Sequence, residues 1–288
     1  MDGFIIVNKP LGYTSRDVVN KISHKFNTKK VGHSGTLDPN ANGVLIICLG
    51  KALKTIELMD NLDKEYIAEV ILGIETDTLD LDKNATILHE EKVDIDNQKI
   101  IDAITSFKGT YLQTVPKYSA VKVNGRKLYE YARNNIPVDL PKKEVIINDI
   151  AVISDINRYD GKISFQIKCA VSKGTYIRSL VRDIGDRLNV PAVMKSLTRT
   201  RIGNFSIDNS YTLDNILNDN YKIISILGAF PNIPKIKIEN DMLKNIKNGM
   251  VLEKFFDSEM AFILDSENNL LALYKNIDNK SRPYKMFV

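Results

Sequence analysis

The sequence predicts an α+β (mixed α/β) fold, in which a large catalytic domain is followed by a small β-rich domain. Three observations lead to this prediction. Strands are separated by both short turns and helices without regular βαβ alternation, and one strand runs through a turn into an amphipathic helix. A proline-bounded segment at 231–234 precedes the final part of the chain. We expect the two domains to span residues 1–230 and 234–288.

The N-terminal elements follow from local patterns. Phe4–Val7 is a short apolar strand, and residues 8–12 form the loop after it. A helix is predicted to begin near Thr14, because Thr14 and Asp17 match a capping box. Its apolar face repeats every fourth residue at Val18, Ile22 and Phe26.

The middle of the chain contains a glycine-rich segment between strand patterns. Residues 32–43 are predicted to be a loop, and the apolar run Val44–Leu49 follows it directly. Tyr66–Leu72 is rich in β-branched and aromatic residues, which is typical of a strand. A helix is predicted around residues 100–107, closed by Gly109.

The clearest pattern lies further on. Apolar residues alternate with polar ones from Ile163 to Cys169, which predicts a half-buried strand. After the turn Ser172–Gly174, an apolar stripe over residues 177–188 predicts a helix whose N-terminus lies beside Lys173, a candidate anion site. In the last part of the chain, Phe262–Leu264 and Leu270–Tyr274 are predicted to form a hairpin.

Composition bounds the function classes. The chain has 288 residues and a net charge of +4, and its longest apolar run is far shorter than the roughly 20 residues that span a bilayer. The N-terminus lacks the pattern of a secretory signal, and Cys48 and Cys169 are predicted to be buried thiols. The three histidines are dispersed, so no metal site is expected. We expect a cytoplasmic protein without a membrane partner.

Positive charge is concentrated in two segments. Residues 106–133 contain six basic residues and one acidic residue, and residues 171–204 contain seven and two. If these segments share a face, they form a positive surface suited to a phosphate backbone; ordinary solvated faces are the alternative.

The segment Val31–Gly43 is the most informative in the chain. Three glycines and Pro39 imply a tightly specified backbone that presents the Asp38 carboxylate near His33, directly ahead of a buried strand. A catalytic loop on a rigid scaffold has this pattern, and so does a plain Asp-Pro turn.

Six blocks in this chain resemble the TruB-type tRNA pseudouridine-55 synthases, in the family's order from residue 4 to about residue 208. The blocks are Asn8-Lys9-Pro10-x-Gly12-x-Thr14-Ser15, Gly32-His33-x-Gly35-x-Leu37-Asp38-Pro39-x-Ala41-x-Gly43, Lys64-x-Tyr66 with Gly73-x-x-Thr76-Asp77-Thr78-x-Asp80, Tyr118-Ser119-Ala120-x-Lys122-x-x-Gly125-x-x-x-Tyr129, Ser172-x-Gly174-Thr175-Tyr176-Ile177-Arg178-Ser179-Leu180, and Leu197-x-Arg199-Thr200-x-x-Gly203. The resemblance implies a pseudouridine synthase fold with a central, mostly antiparallel sheet. The final stretch resembles the family's small PUA-like RNA-binding domain more weakly.

The resemblance also implies roles for individual residues. Asp38 matches the catalytic aspartate, which either attacks C1′ of the target uridine or assists removal of a sugar proton. Arg178 matches the arginine expected to pair with Asp38, and Tyr66 matches a tyrosine expected to stack on the target base and help move its proton.

Four further residues are implied in substrate binding. Tyr176 and Leu197 match residues that line the uracil pocket, and His33 matches a histidine that fills the stack vacated by the flipped base. Without the resemblance, the first two indicate only packing. Lys9 falls in a matching block and is interpreted as a scaffold and backbone contact.

The implied activity is the isomerisation of uridine to pseudouridine at position 55, in the T arm of transfer RNA. No cofactor, metal or obligatory protein partner is expected, and the protein is expected to be a monomer. An RNA-folding protein that uses the same cleft is an alternative. A glycoside hydrolase is set aside because no second carboxylate stands out beside the Asp38 motif and the chain has no tryptophan.

Overall fold

The computed structural model describes residues 1–83 and 85–288 and contains both strands and helices in number. The strands are β1 (Gly3–Lys9), β2 (Val31–Ser34), β3 (Ala41–Leu49), β4 (Lys64–Leu72), β5 (Ile74–Thr76), β6 (Ile87–Glu90), β7 (Gly109–Thr114), β8 (Lys122–Val123), β9 (Arg126–Lys127), β10 (Lys142–Val152), β11 (Asn157–Tyr159), β12 (Lys162–Val171), β13 (Ala192–Ile202), β14 (Phe205–Ser206), β15 (Lys235–Lys237), β16 (Leu252–Glu253), β17 (Met260–Leu264), β18 (Leu270–Ile277) and β19 (Lys280–Met286).

The helices are shorter and lie between the strands. They are α1 (Ser15–Lys25), α2 (Ile56–Asp60), α3 (Asn97–Thr105), α4 (Leu128–Arg133), α5 (Ile177–Leu188), α6 (Leu213–Leu217), α7 (Ile226–Ala229) and α8 (Asn240–Lys247), with 3₁₀ helices at Gly50–Thr55 and Ile207–Asn209. In the part of the chain that the structure describes, no helix has the length and apolar character needed to cross a membrane.

A ten-stranded sheet forms the centre of the molecule. Its main order is β1-β3-β13-β4-β12-β10-β7, and β2, β14 and β11 are added beside β3, β13 and β12. Neighbouring strands run antiparallel, except that β3 and β13 are parallel. The prediction of a mixed fold with a mostly antiparallel sheet is therefore confirmed.

The strand–turn–helix unit lies at the heart of this sheet. β12 pairs with β4 along its length, and the apolar stripe of α5 packs onto the same core through Ile177, Leu180 and Ile184. Both β12 and α5 were predicted, because the apolar residues of each recur with a spacing that places them on one face of the element. The predicted capping box also forms: the Thr14 hydroxyl accepts the N–H of Asp17 at 3.1 Å, and the Asp17 carboxylate accepts the N–H of Thr14 at 2.8 Å.

The prediction of a single loop over residues 32–43 was wrong at both of its ends. Gly32, His33 and Ser34 belong to β2, because they pair with Cys48, Ile47 and Ile46 on β3. Residues 41–43 already belong to β3. The loop proper therefore spans residues 35–40, held between two paired strands.

Gly43 explains how β3 and β13 approach each other. Its φ is +105°, and a Cβ atom there would lie 2.2 Å from the carbonyl oxygen of Arg199. The parallel pairing of Leu197 with Ala41 and of Arg199 with Gly43 therefore requires glycine at this position. This junction brings the C-terminal half of β13 directly beside the 35–40 loop.

The C-terminal part forms a five-stranded sheet in the order β15-β17-β18-β19-β16, and it includes the predicted hairpin of β17 and β18. This sheet shares a core with the large one. The rings of Phe4 and Phe230 lie 6.0 Å apart between centroids, Phe230 and Phe262 6.0 Å, and Phe262 and Phe287 6.4 Å. The two sheets are thus joined by continuous apolar packing.

We predict that Phe262→Ala destabilises β1 as well as the C-terminal sheet. Phe262 is fully buried in the shared core, so its truncation should lower the free energy of unfolding by about 3–5 kcal/mol. Amide hydrogen exchange should then become faster in β1. Phe255→Ala is the matched control, because Phe255 packs within the C-terminal domain on Phe256 and Tyr274. Unchanged exchange in β1 of the Phe262 variant would show that the sheets are energetically separate.

Candidate active site

A cleft of about 610 Å³ opens where the 35–40 loop faces the start of α5. Most of its lining comes from the blocks singled out in the sequence. The lining residues are His33, Gly35, Thr36, Leu37, Asp38, Asp60, Lys64, Tyr66, Tyr118, Ser119, Ala120, Tyr129, Ser172, Lys173, Gly174, Thr175, Tyr176, Ile177, Arg178, Leu197 and Arg199. Residues of both basic segments line the cleft, but those from segment 106–133 are uncharged, so a shared positive surface stays a prediction.

Asp38 and Arg178 form an ion pair at the cleft. The distance from Nη2 of Arg178 to Oδ2 of Asp38 is 2.9 Å. The Asp38 side chain is 47% exposed, whereas the Arg178 side chain is only 9% exposed. The carboxylate is thus open to a ligand, and its counter-charge is fixed inside the protein.

Arg178 is held by several groups at once. Its guanidinium donates to the main-chain oxygens of Thr78 at 3.1 Å and Tyr118 at 3.2 Å, and Nη1 lies 3.7 Å from the carboxylate of Asp80. These partners come from two segments that are distant from Arg178 along the chain. Because the arginine sits in the first turn of α5, packing of that helix sets the position of its charge.

Asp80 is a site residue that sequence reasoning missed. It falls in one of the six blocks that resemble the family, but no role was assigned to it. In the structure its side chain is 10% exposed and directed at Arg178. Burial raises the pKa of Asp80, while the Thr78 hydroxyl and Arg178 oppose that shift. Asp80 does not line the cleft; the second carboxylate that does, Asp60, accepts hydrogen bonds from the Ser34 hydroxyl and the Gly35 N–H.

The apolar side of the cleft contains Tyr66, Tyr176 and Leu197. Tyr66 lies on β4 with its ring mostly in the core, and Leu197 pairs across from Ala41 on β3. Tyr176 precedes α5. The Gln113 side chain accepts the N–H of Tyr176 at 2.8 Å and donates to the carbonyl oxygen of Tyr176 at 3.1 Å. The three side chains named from the sequence thus reach one cavity.

His33 lies on β2 at the edge of the cleft. Burial lowers its pKa, and the nearby cations Arg16 and Arg199 lower it further, so the imidazole is neutral at pH 7. Its Nδ1 is buried and has no hydrogen-bond partner among the residues described. The ring itself lines the cleft, and a neutral, partly exposed ring is suited to stack against a base in a ligand.

Lys9 is placed differently from the other named residues. It is fully buried and does not line the cleft. Its ammonium group donates to the carbonyl oxygens of Tyr13 at 2.6 Å, Pro10 at 3.1 Å and Pro39 at 3.5 Å. These contacts suit the scaffold role interpreted from the sequence. One of them holds Pro39, the residue that follows Asp38.

Comparison with known proteins decides the family. A model of the TruB family pseudouridylate synthase N-terminal domain matches residues 23–177, and a model of the tRNA pseudouridylate synthase B C-terminal domain matches residues 178–224. The chain is 40% identical to tRNA pseudouridine synthase B of Bacillus subtilis (strain 168) over 259 residues, which is 88% of this chain and 84% of that protein. The chain belongs to the TruB family of pseudouridylate synthases.

Other relatives agree over the whole length. A tRNA pseudouridine synthase B of Clostridium kluyveri is 38% identical over 296 residues, with full coverage of both chains. Among solved structures, a chain of an H/ACA RNP bound to a substrate RNA containing 2′-deoxyuridine has a TM-score of 0.72 and 24% identity over 99% of this chain and 85% of that one. A chain of a Cbf5–Nop10–Gar1 complex has a TM-score of 0.70 and 24% identity, over 99% and 84%. These two structures share the fold.

Members of the family isomerise uridine to pseudouridine in RNA, so the Asp38 cleft is the candidate active site of this TruB-family enzyme. Sequence reasoning missed Asp80, which lies behind the cleft, and also two groups that line it. Asp60 and Arg199 both contact the main chain of the 35–40 loop. A carboxylate at the end of a short helix and an arginine among threonines and another arginine in a strand give no local signal of this role.

We predict that Lys64 makes stability depend on alkaline pH. Burial, aided by the nearby charge of Arg199, lowers its pKa to about 8. Between pH 8 and the ordinary lysine value the unfolded chain binds more protons, so the free energy of unfolding should rise with pH across this window, by roughly 2 kcal/mol after allowance for solvent screening.

Denaturant titrations at pH 7.5 and pH 10 test this prediction. Tyrosines also titrate at alkaline pH, so the comparison is between the wild type and Lys64→Met, which lacks the buried ammonium. The difference in stability between the two proteins should shift in favour of the wild type at pH 10. An identical pH dependence in both proteins would contradict the prediction.

Proposed function

We propose that this chain converts uridine to pseudouridine at position 55, in the T arm of transfer RNA, with Asp38 as the catalytic carboxylate. The observation that carries the proposal is the open Asp38 carboxylate, paired at 2.9 Å with a buried arginine in a cleft lined by tyrosines. The relatives' names supply transfer RNA as the substrate, and the resemblance of the six blocks supplies the position.

The reaction suits a site with one open carboxylate. The N1–C1′ bond breaks, the uracil turns, and a C5–C1′ bond forms; the proton on C5 is then lost and N1 ends protonated. The base that leaves is the nucleophile that returns, so neither water nor a second substrate is consumed. There is no net oxidation, and we therefore expect no cofactor.

Asp38 acts in one of two ways in this proposal. It attacks C1′ and forms a covalent link to the sugar, as the carboxylate of a retaining glycosidase does, or it assists removal of a sugar proton. In both routes the charge on Asp38 changes during the reaction. Arg178 supplies a fixed positive charge beside it, and a preorganised charge needs no rearrangement when the reaction occurs.

The aromatic groups have complementary roles in the proposal. A base cannot react while it is stacked, and its extrusion costs a few kcal/mol. Tyr66 and Tyr176 offer apolar surface to the flipped uracil, and Leu197 closes the pocket. The neutral His33 ring is suited to occupy the gap in the stack, where it offsets part of that cost.

We further propose that residues 1–230 act as the catalytic domain and that residues 234–288 contribute an RNA-binding, PUA-like domain. On this proposal the protein works as a monomer in the cytoplasm and needs no partner protein. Support for a second RNA-binding surface comes from α8 and the strand before it, where four lysines are exposed: Lys235, Lys237, Lys244 and Lys247. An assay with purified protein alone tests independence from a partner.

Replacement of Asp38 is the first test of the function. Purified wild-type protein, incubated with an unmodified tRNA transcript and no added cofactor, should give one new carbodiimide-dependent stop at the T-arm uridine. Asp38→Asn keeps the size of the side chain and removes its charge, so product should fall below detection while tRNA affinity is retained. Tight binding without modification by the wild type would instead indicate an RNA-folding role.

The second test concerns the C-terminal domain. The double variant Lys244→Ala and Lys247→Ala should weaken tRNA binding and reduce the slope of log Kd against log salt concentration by about 1 for each phosphate that the variant no longer neutralises. The rate at saturating tRNA should not change. Lys99→Ala is the matched control, because Lys99 is an exposed lysine on a helix of the large domain, α3. Equal salt slopes in all three proteins would remove this domain from the binding surface.

A further inference from the structure

The 35–40 loop is positioned mainly by side chains from elsewhere in the fold. The hydroxyl of Ser15 binds both main-chain groups of Leu37. It accepts the N–H at 3.0 Å and donates to the carbonyl oxygen at 3.2 Å. Asp60 accepts the N–H of Gly35 at 3.0 Å and the hydroxyl of Ser34 at 2.7 Å. The orientation of Asp38 therefore depends on these anchors.

Arg199 is the most unusual of the anchors. It is 1% exposed and is among the largest fully buried side chains of the protein. Its guanidinium donates to the carbonyl oxygens of Gly35 and Val44, each at 2.8 Å, and to that of Thr36 at 3.4 Å. Among residues 1–83 and 85–288, no carboxylate forms an ion pair with it.

Burial of an arginine without a carboxylate is costly, because a permanent charge leaves water and gains only neutral partners. A leucine or methionine would tie β13 into the core at lower cost. What the guanidinium adds is a planar set of donors that reaches two successive carbonyl groups of the loop, at Gly35 and Thr36, from a rigid central strand. The next two residues along the chain are Leu37 and Asp38.

We propose that Arg199 is a positioning residue for Asp38: together with Asp60 it fixes the peptide units of Gly35, and so sets the direction in which the loop presents the catalytic carboxylate. Asp60 holds the N–H of Gly35 and Arg199 holds its carbonyl oxygen. The inference rests on the proposed role of Asp38 and deepens it.

Two further observations agree with this role. Gly35 has a φ of +67°, a conformation that L-residues with a side chain rarely adopt, so the loop bends sharply where the two anchors grip it. The charge of Arg199 also acts on the residues around it, since it is one of the causes that lower the pKa values of Lys9, His33 and Lys64. Arg199 thus shapes both the backbone and the charge environment beneath the cleft.

The test separates positioning from simple stabilisation. Arg199→Gln should lower kcat for pseudouridine formation about 100-fold, since a displacement of about 1 Å in a reacting group can cost that much, while KM for tRNA changes less than about threefold. Arg158→Gln is the matched control. Arg158 also donates to a main-chain carbonyl group, that of Ile95 at 2.7 Å, but it does not line the cleft. The kcat of Arg158→Gln should therefore equal that of the wild type.

Two readouts do not depend on activity. In Arg199→Gln the amides of Gly35 and Leu37 should exchange hydrogen faster, and the pKa of His33, followed by NMR among only three histidines, should rise. If the wild type forms no pseudouridine, the proposed function fails, and these readouts still decide whether Arg199 fixes the loop.

The opposite results would overturn the inference. A folded Arg199→Gln with the kcat of Arg158→Gln, or a loss confined to KM, would show that Arg199 does not position Asp38. If Arg199→Gln does not fold, Asp60→Ala decides, because it releases the other peptide unit of Gly35, whose N–H Asp60 holds from the partly exposed end of α2. That variant should lower kcat with little change in KM, and a wild-type kcat would reject the proposal.

Discussion

The ion pair between Asp38 and Arg178 is the interaction on which the architecture of the site depends. It connects a six-residue loop to the first turn of α5, and α5 is fixed in turn by the core between it and the sheet. Because Arg178 also binds Thr78, Tyr118 and Asp80, its charge is in place before any ligand arrives. On the side of Asp38 that faces Arg178, the protein rather than water supplies the charge that stabilises the carboxylate.

The sheet explains why these groups meet. β3 and β13 run parallel, so the start of β3, which follows the Asp38 loop, lies beside the middle of β13. β4, which holds Tyr66, is the next neighbour of β13. The 35–40 loop, the pocket residues and the buried Arg199 therefore lie on or beside adjacent strands within one region of the sheet. A change of one residue in the register of β13 would turn both Leu197 and Arg199 to the opposite face of the sheet.

Much of the fold could be predicted from the sequence, because its elements have clear periodicities. The α1 capping box, the alternation in β12, the stripe of α5 and the β17–β18 hairpin are each written in a few adjacent residues. The ordering of strands in the sheet depends on pairings between distant segments, such as β3 with β13, and no local pattern encodes them. Residues 32–34 were predicted to be loop because glycine and serine have low strand propensity, whereas pairing with the strongly apolar β3 decides their structure.

The same division applies to the site. Asp38, Arg178 and the pocket residues were found because whole blocks resemble a family, not because their local chemistry is distinctive. The placement of these residues in one cleft agrees with that resemblance, but their individual roles stay predictions. Asp80, Asp60 and Arg199 were missed for a physical reason, because each contacts residues that are distant in sequence. Arg199 and Arg201 lie two residues apart in one strand, and the sequence gives no sign that the first is the fully buried one.

The row of phenylalanines from Phe4 to Phe287 has a consequence for synthesis on the ribosome. β1 is made first, yet one of its faces is completed by Phe230 and, through it, by Phe262 and Phe287 near the end of the chain. Phe4 also exchanges main-chain hydrogen bonds with Ile224. The nascent chain must therefore carry an incomplete apolar surface until Phe262 and Phe287 have been made, and chains without them would be targets for chaperones and for aggregation. Chains that stop before Phe262 should be eliminated by the cell rather than persist as smaller enzymes.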